Sequence, residues 1–220
     1  MGDDRSSQAE APKLLDDDSE IARREVENGF RQWEATLAEI ETELERGGAY
    51  RLRLSTILAL HRLAVDGLEA FAGAFRPGPV KITKSRHVPP EAALVPELVE
   101  EMCDTVNDNW QNWSPIELGA YVLWRMCWIH PFTDGNGRTA RALSYLVLNV
   151  AARERLSGTT TIPELIERNK TPYYEALEAA DAALEATGDI DVAAMSNLFE
   201  ALLAEQLLSA LNRAKNKPAP

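Results

Sequence analysis

Cysteine is scarce in this 220-residue chain: Cys103 and Cys127 are the only two, and both fall inside apolar helical patterns. Two thiols cannot build the disulfide framework of a small secreted domain, so the pattern suits a reducing, cytoplasmic setting. Long hydrophobic runs are lacking as well. The most apolar stretches are broken by Arg125 and Arg141, short of the ~20 residues a membrane-spanning helix needs. Basic residues are outnumbered, 23 Lys and Arg against 35 Asp and Glu, for a net charge of −12. An acidic chain without a basic stripe repels phosphate backbones, which argues against a nucleic-acid partner. The opening MGDDRSSQAEAPKLLDDD has no apolar core of signal-peptide type. No membrane partner is expected.

What is present suffices for one domain with a proper core, since 45 % of residues are hydrophobic. Residues 1–18 are acidic and poor in apolar side chains, and are expected to form a disordered tail. Residues 19–48 read as a helical arm: Ile21, Trp33, Leu37, Ile40 and Leu44 share a face, and Gly47-Gly48 ends it. Gly29 inside this helix costs about 1 kcal/mol relative to alanine. The main domain is expected over 49–217, opening with a helix at about 52–75. Pro77, Gly78 and Pro79 then punctuate a stretch in which Val80, Ile82 and Val88 alternate with polar residues, which predicts a short hairpin or flap. Helical periodicity resumes over about 91–107. Ser114-Pro115-Ile116-Glu117 has the make-up of a capping box, and the helix behind it, to Ile129, is apolar nearly all round and therefore buried. A second such helix carries Leu143, Tyr145, Leu146 and Leu148. Thr171-Pro172 and Gly188-Asp189 bound two further helices that end near Ala214. The fold class is all-α with one small hairpin.

Between the two buried helices lies His130-Pro131-Phe132-Thr133-Asp134-Gly135-Asn136-Gly137-Arg138-Thr139-Ala140-Arg141. A plain loop would need one glycine and some solvated polar groups. This one carries an imidazole, a carboxylate, an amide and two guanidiniums. The glycines let backbone amides approach a ligand and lead into a helix N-terminus, where free donors and the dipole favour an anion. Arg138 and Arg141, three apart, share a helical face and suit successive phosphates. Asp134 suits Mg2+, which takes one carboxylate plus phosphate oxygens and waters. His130 suits a base near neutral pH, and Phe132 an anchor to the core. An EF-hand fails on spacing at Arg138. Taken alone, the loop reads as a phosphate site.

The segment is similar to the signature of the Fic family, His-Pro-Phe-x-Asp/Glu-Gly-Asn-Gly-Arg-x-x-Arg, at every specified position, and the likeness extends over about 20–210. The resemblance implies a helical Fic-type bundle and a protein adenylyltransferase. Such an enzyme moves AMP from ATP, with Mg2+, to a Ser, Thr or Tyr hydroxyl of a target protein and releases pyrophosphate. On this resemblance His130 is the base and Asp134 the Mg2+ ligand. Gly135, Asn136, Gly137 and Arg138 hold phosphates, and Arg141 takes the γ-phosphate. Relatives that phosphorylate carry lysine at the place of Gly137, so Gly137 implies attack at the α-phosphorus.

The 76–90 segment resembles the family's target-docking flap, with Val80 or Ile82 clamping the modified side chain. Tyr173-Tyr174 and Asp181 resemble the adenine pocket, Tyr174 contacting the base and Tyr173 packing in the core. Many relatives carry an inhibitory Ser/Thr-x-x-x-Glu-Gly/Asn helix whose glutamate pairs with the second arginine. Glu27-Asn28 matches its second half, with Arg23 at the hydroxyl position, and Ser196 to Glu200 matches its first half. Glu27 is the expected inhibitor, because Gly29 otherwise lacks a reason. His61 and His87 are expected to pack or to lie at the surface. Transfer of another nucleotide moiety, removal of AMP, a non-catalytic nucleotide-binding module and homo-oligomerisation stay open.

Overall fold

The computed structural model describes residues 4–12 and 14–215, and two of its helices form a core on which the others stack. These are α4 (Pro115–Ile129) and α5 (Asn136–Ala152), which lie against each other along their length and are buried on nearly every side. Before them run β1 (Ser7–Ala9), α1 (Asp18–Arg46), α2 (Leu54–Val65), β2 (Val80–Ile82) and α3 (Val95–Asp108). After them come α6 (Ile162–Arg168), α7 (Thr171–Thr187) and α8 (Ala193–Lys215). Helices α3, α7 and α8 pack on α4, while α1, α2 and α6 pack on α5. The expected end of the domain at 217 and the first three residues of the tail lie outside the described residues.

Local chemistry sets the start of the central pair. Ser114 Oγ accepts from Glu117 N (3.2 Å) and Glu117 Oε2 accepts from Ser114 N (2.7 Å), so the expected capping box forms. Trp124, Tyr121, Leu118, Leu143 and Leu146 fill the interior. Among the described residues no helix is long and apolar enough to cross a membrane.

Three expectations need correction. The helix expected at 52–75 stops at Val65, because Asp66 leaves helical angles (φ −55, ψ 124) and the chain turns back. A helix at Ile162–Arg168 was missed, although Thr161, Pro163 and Glu164 form the same cap as Ser114, Pro115 and Glu117. The largest correction concerns the flap and the tail. The sheet has two antiparallel strands, but β2 does not fold back on itself. It pairs with β1 from the expected tail, with Ser7 opposite Ile82, Gln8 opposite Lys81 and Ala9 opposite Val80. Ser6 extends the join, its N–H donating to Thr83 Oγ1 (2.8 Å) while Thr83 N donates to Ser6 O (2.9 Å). Composition misleads here because strand pairing draws on main-chain groups that every residue carries.

Phe199 of α8 is fully buried and its ring lies 3.0 Å from where a Cβ on Gly119 of α4 would sit. Phe199→Ala is expected to lower the unfolding free energy by about 3–5 kcal/mol, read as a lower denaturant midpoint at unchanged slope.

Candidate active site

The 130–137 turn is held by its own side chains. Asn136 Nδ2 donates to Phe132 O (2.8 Å), and Asn136 Oδ1 accepts from Phe132 N (2.9 Å). Phe132 is fully buried, as expected of an anchor, and stacks face to face on His61 with centroids 3.6 Å apart. Gly73 N donates to His61 Nδ1 (3.1 Å), so His61 carries its proton on Nε2 and donates it to Asp134 O (3.0 Å). Burial pushes the His61 pKa down to about 4, which keeps this ring neutral. The packing role expected of His61 is therefore present, and it also fixes the loop. Gly135 has φ 73, and a Cβ there would meet Val65 Cγ1 at 2.7 Å, so only glycine fits.

His130 caps α4 in the left-handed region (φ 50, ψ 59) and is buried. Arg76, also buried, steadies it: its Nε donates to His130 O (2.9 Å) and its N–H to Pro131 O (2.9 Å). The same guanidinium donates to Gly78 O (2.9 Å) and to Pro90 O, which ties both ends of the flap to the turn. No sequence signal singled out Arg76. His130 Nδ1 faces the Cys127 carbonyl (3.3 Å), an acceptor only, so Nδ1 holds the proton and Nε2 is the basic atom. Burial pushes the His130 pKa down to about 4, only partly opposed by the Cys127 carbonyl. Nε2 points at Ser7 Oγ, 2.9 Å away.

Gly135 is the N-cap of α5, so Asn136, Gly137 and Arg138 begin the helix with amides that have no acceptor one turn back. Asn136 spends its side chain on the loop, leaving its backbone for a ligand. Arg138 pairs with Asp134 (3.0 Å) and Glu25 (3.7 Å), and Arg141 with Glu167 (2.7 Å). Glu167 also pairs with Lys170 (2.6 Å). Asp134 is half-exposed, and no group of three or more metal-binding side chains occurs among the described residues. A lone carboxylate beside an anion-binding helix end fits Mg2+ arriving with phosphates, and does not fit a resident metal.

These groups meet in one cleft of about 830 Å3, within the range of small-molecule sites. It brings together His130, Asp134, Gly135, Asn136, Gly137, Arg138, Arg141, Tyr174, Asp181 and Ile82, all from the expected set. Tyr174 is half-buried at its wall, while Tyr173 is buried with its hydroxyl on Cys127 Sγ (3.0 Å). Burial raises the Asp181 carboxyl above the usual range, although Trp124 Nε1 donates to it (2.8 Å). Cys127 lines the cleft, but burial lifts its thiol to about 11, so it offers no thiolate nucleophile.

Two expected residues are elsewhere. Val80 lines a separate hollow with Pro77, Gln8 and Thr133, so of the two expected clamp residues Ile82 alone is at the cleft. Glu27 pairs with Arg23 (2.7 Å) and Arg24 (3.7 Å), and the expected contact with Arg141 is absent among the described residues. Helix periodicity explains this, since Ala22, Glu25 and Val26 form the cleft-facing side of α1. A side chain at Gly29 would meet open space, so that glycine gives no support to Glu27. The reading missed Ser7, Arg5, His87, Glu25, Glu167 and Lys170, all of which line the cleft. His87 Nε2 sits 2.7 Å from Trp128 O and its Nδ1 3.7 Å from Asp181. Single charged or polar residues outside a motif carry no signal of their own.

Gly135→Ala is expected to destabilise the fold by at least ~1–3 kcal/mol through overpacking against Val65, read as a lower melting temperature.

Comparison with known proteins agrees with this geometry. Residues 51–148 match the Fic/DOC family. The chain is 33% identical over 134 residues to protein adenylyltransferase fic-1 of Caenorhabditis briggsae, covering 60% of this chain and 25% of that protein. It is also 33% identical over 139 residues to protein adenylyltransferase Fic of Nematostella vectensis, covering 59% and 29%. The chain thus spans about a quarter of the length of the curated relatives it matches. Among solved structures, a Fic family protein from Desulfovibrio desulfuricans G20 superposes with a TM-score of 0.65 at 23% identity, over 93% of this chain and 57% of that one. A Fic domain containing protein from Bacteroides thetaiotaomicron does so with 0.65 at 20% identity, over 87% and 73%. Residues 51–148 thus carry a Fic/DOC family domain, and the helical fold is the one these Fic structures share.

Proposed function

We propose that this domain transfers AMP from ATP to a hydroxyl on a protein. The observation that carries the reading is one cleft in which a neutral His130, with Nε2 free to accept a proton, faces a helix N-terminus flanked by two arginines. Nε2 takes the acceptor hydroxyl's proton as its oxygen forms a bond to the α-phosphorus and the bond to the bridging oxygen breaks. Pyrophosphate departs. The first amides of α5 with Arg138 and Arg141 stabilise charge on the phosphates, and they are in place before reaction. Asp134 would hold Mg2+, which supplies charge neutralisation on the phosphate oxygens when bound. Tyr174 gives the base a ring to stack on, and β2 gives the target an edge to pair with. The relatives in Caenorhabditis briggsae and Nematostella vectensis are protein adenylyltransferases by name, which supports the same chemistry.

The test is incubation with Mg2+ and ATP labelled at the α- or the γ-phosphate. Protein label from the α-position alone is expected, falling by roughly 10²–10⁴-fold in His130→Ala. Label from the γ-position would mean phosphoryl transfer and end this reading.

His130 is neutral above a pKa of about 4, so the base is competent across neutral pH and is lost only as pH falls through that value. The acid limb of kcat/KM is expected well below 6.5. An inflection near 6.5, the value of an unperturbed histidine, would mean that a different group limits the rate.

Glu167 holds the arginine proposed for the γ-phosphate. Glu167→Gln should lower the KM for ATP about 1.4–5-fold, since a half-exposed ion pair is worth roughly 0.2–1 kcal/mol. Glu27→Gly should leave KM unchanged. Steady-state kinetics on both variants decide the point.

A further inference from the structure

We propose that Ser7 of this chain is itself an acceptor: the N-terminal strand occupies the target's place on β2 and presents the Ser7 hydroxyl to His130 for adenylylation in cis. The inference rests on the AMP-transfer reading above and names its first substrate.

Strand pairing sets the presentation. Ser7 lies opposite Ile82, the β2 residue that lines the cleft. Its neighbour Ser6 also borders the cleft, but its hydroxyl is engaged with Thr83 Oγ1 at 3.0 Å. Ser7 Oγ instead sits 2.9 Å from His130 Nε2 and 3.3 Å from Asn136 Nδ2. The roles in this triad are fixed by elimination. Nε2 has no proton and the Asn136 amide nitrogen can only donate, so Ser7 Oγ donates to Nε2 and accepts from Asn136. A hydroxyl that hands its proton to a positioned base is the geometry nucleophilic attack requires.

The segment is held on both sides of Ser7. Downstream, β1 pairs with β2. Upstream, the Arg5 N–H donates to the Tyr174 hydroxyl (3.1 Å), its guanidinium lies 4.3 Å over the Tyr174 ring, and Asp4 pairs with Lys170 (3.0 Å). With the strand seated, about 830 Å3 of cleft is still bounded by the Gly135–Arg138 turn and by Arg141. That volume lies within the range of small-molecule sites, which leaves room for a nucleotide beside Ser7. A base stacking on Tyr174 exchanges with the Arg5 side chain and leaves the β1–β2 ladder intact. In the step itself Ser7 Oγ bonds to the α-phosphorus of ATP, the α–β bridging bond breaks with its electrons going to pyrophosphate, and the hydroxyl proton ends on His130 Nε2. The product is a Ser7–AMP phosphodiester.

A consequence separates this arrangement from an idle tail. An external target that adds to β2 competes with β1 for the same edge, so the cis reaction precedes it and needs no encounter. The experiment treats the full chain with ATP and Mg2+ and locates AMP by digestion and fragment-ion mass spectrometry, in wild type, Ser7→Ala and Ser6→Ala. AMP on Ser7 is expected in wild type and in Ser6→Ala and absent from that peptide in Ser7→Ala. The labelled fraction per unit time should not change on dilution of the protein. AMP on another residue, or free AMP formed with Ser7 unmodified, overturns the role of Ser7 and leaves the transferase reading standing. A rate proportional to protein concentration overturns reaction in cis. Neither adduct nor free AMP sinks both.

Discussion

Everything at the site depends on how a turn of few residues joins two helices that have no exposed face to spare. Helices α4 and α5 are buried along their length, so the chain between them must reverse tightly and still leave polar groups at the surface of a cleft. Asn136 closes the turn on the Phe132 backbone, Phe132 and His61 stack in the core, and Gly135 supplies the one conformation that clears Val65. The outcome is a rigid corner. The last residue of one helix and the first amides of the next point at the same space, and the corner cannot relax without opening the core. Preorganisation of this kind lets donors act on developing charge without reorganising.

The second constraint is an edge. A strand as short as β2 has main-chain groups to satisfy and invites pairing, and Arg76 fixes it relative to His130 by bonding the turn and both ends of the flap at once. Whatever lies on that edge is thereby held in register with His130. In this chain the edge is taken by residues of the same molecule. One guanidinium network thus sets both the corner at His130 and the position of the paired edge.

Much of this was legible in the sequence. The 130–141 segment marked the place of the cleft because several rare residue types converge on one turn, and the Ser114 cap announced the helix before it. Apolar periodicity placed the core pair, since Leu118, Tyr121 and Leu146 leave no polar face. What the sequence did not disclose depends on pairing in space. Ser7 sits in a polar, acidic stretch that composition reads as unstructured, and its order comes from main-chain bonds to β2. Glu27 looked right by motif but faces away from the cleft by helix phase, whereas Glu25 faces it. Arg141's partner Glu167 comes from α6, whose cap was present but not read. Arg76 is one buried arginine whose role exists only because four carbonyls converge on it.

The most direct measurement is a crystal structure of the chain with a non-hydrolysable ATP analogue and Mg2+. The account predicts the α-phosphate beside His130 Nε2, the terminal phosphate on Arg141 and the base on Tyr174. A nucleotide lying the other way, with its terminal phosphate at His130 and its base away from Tyr174, would contradict it.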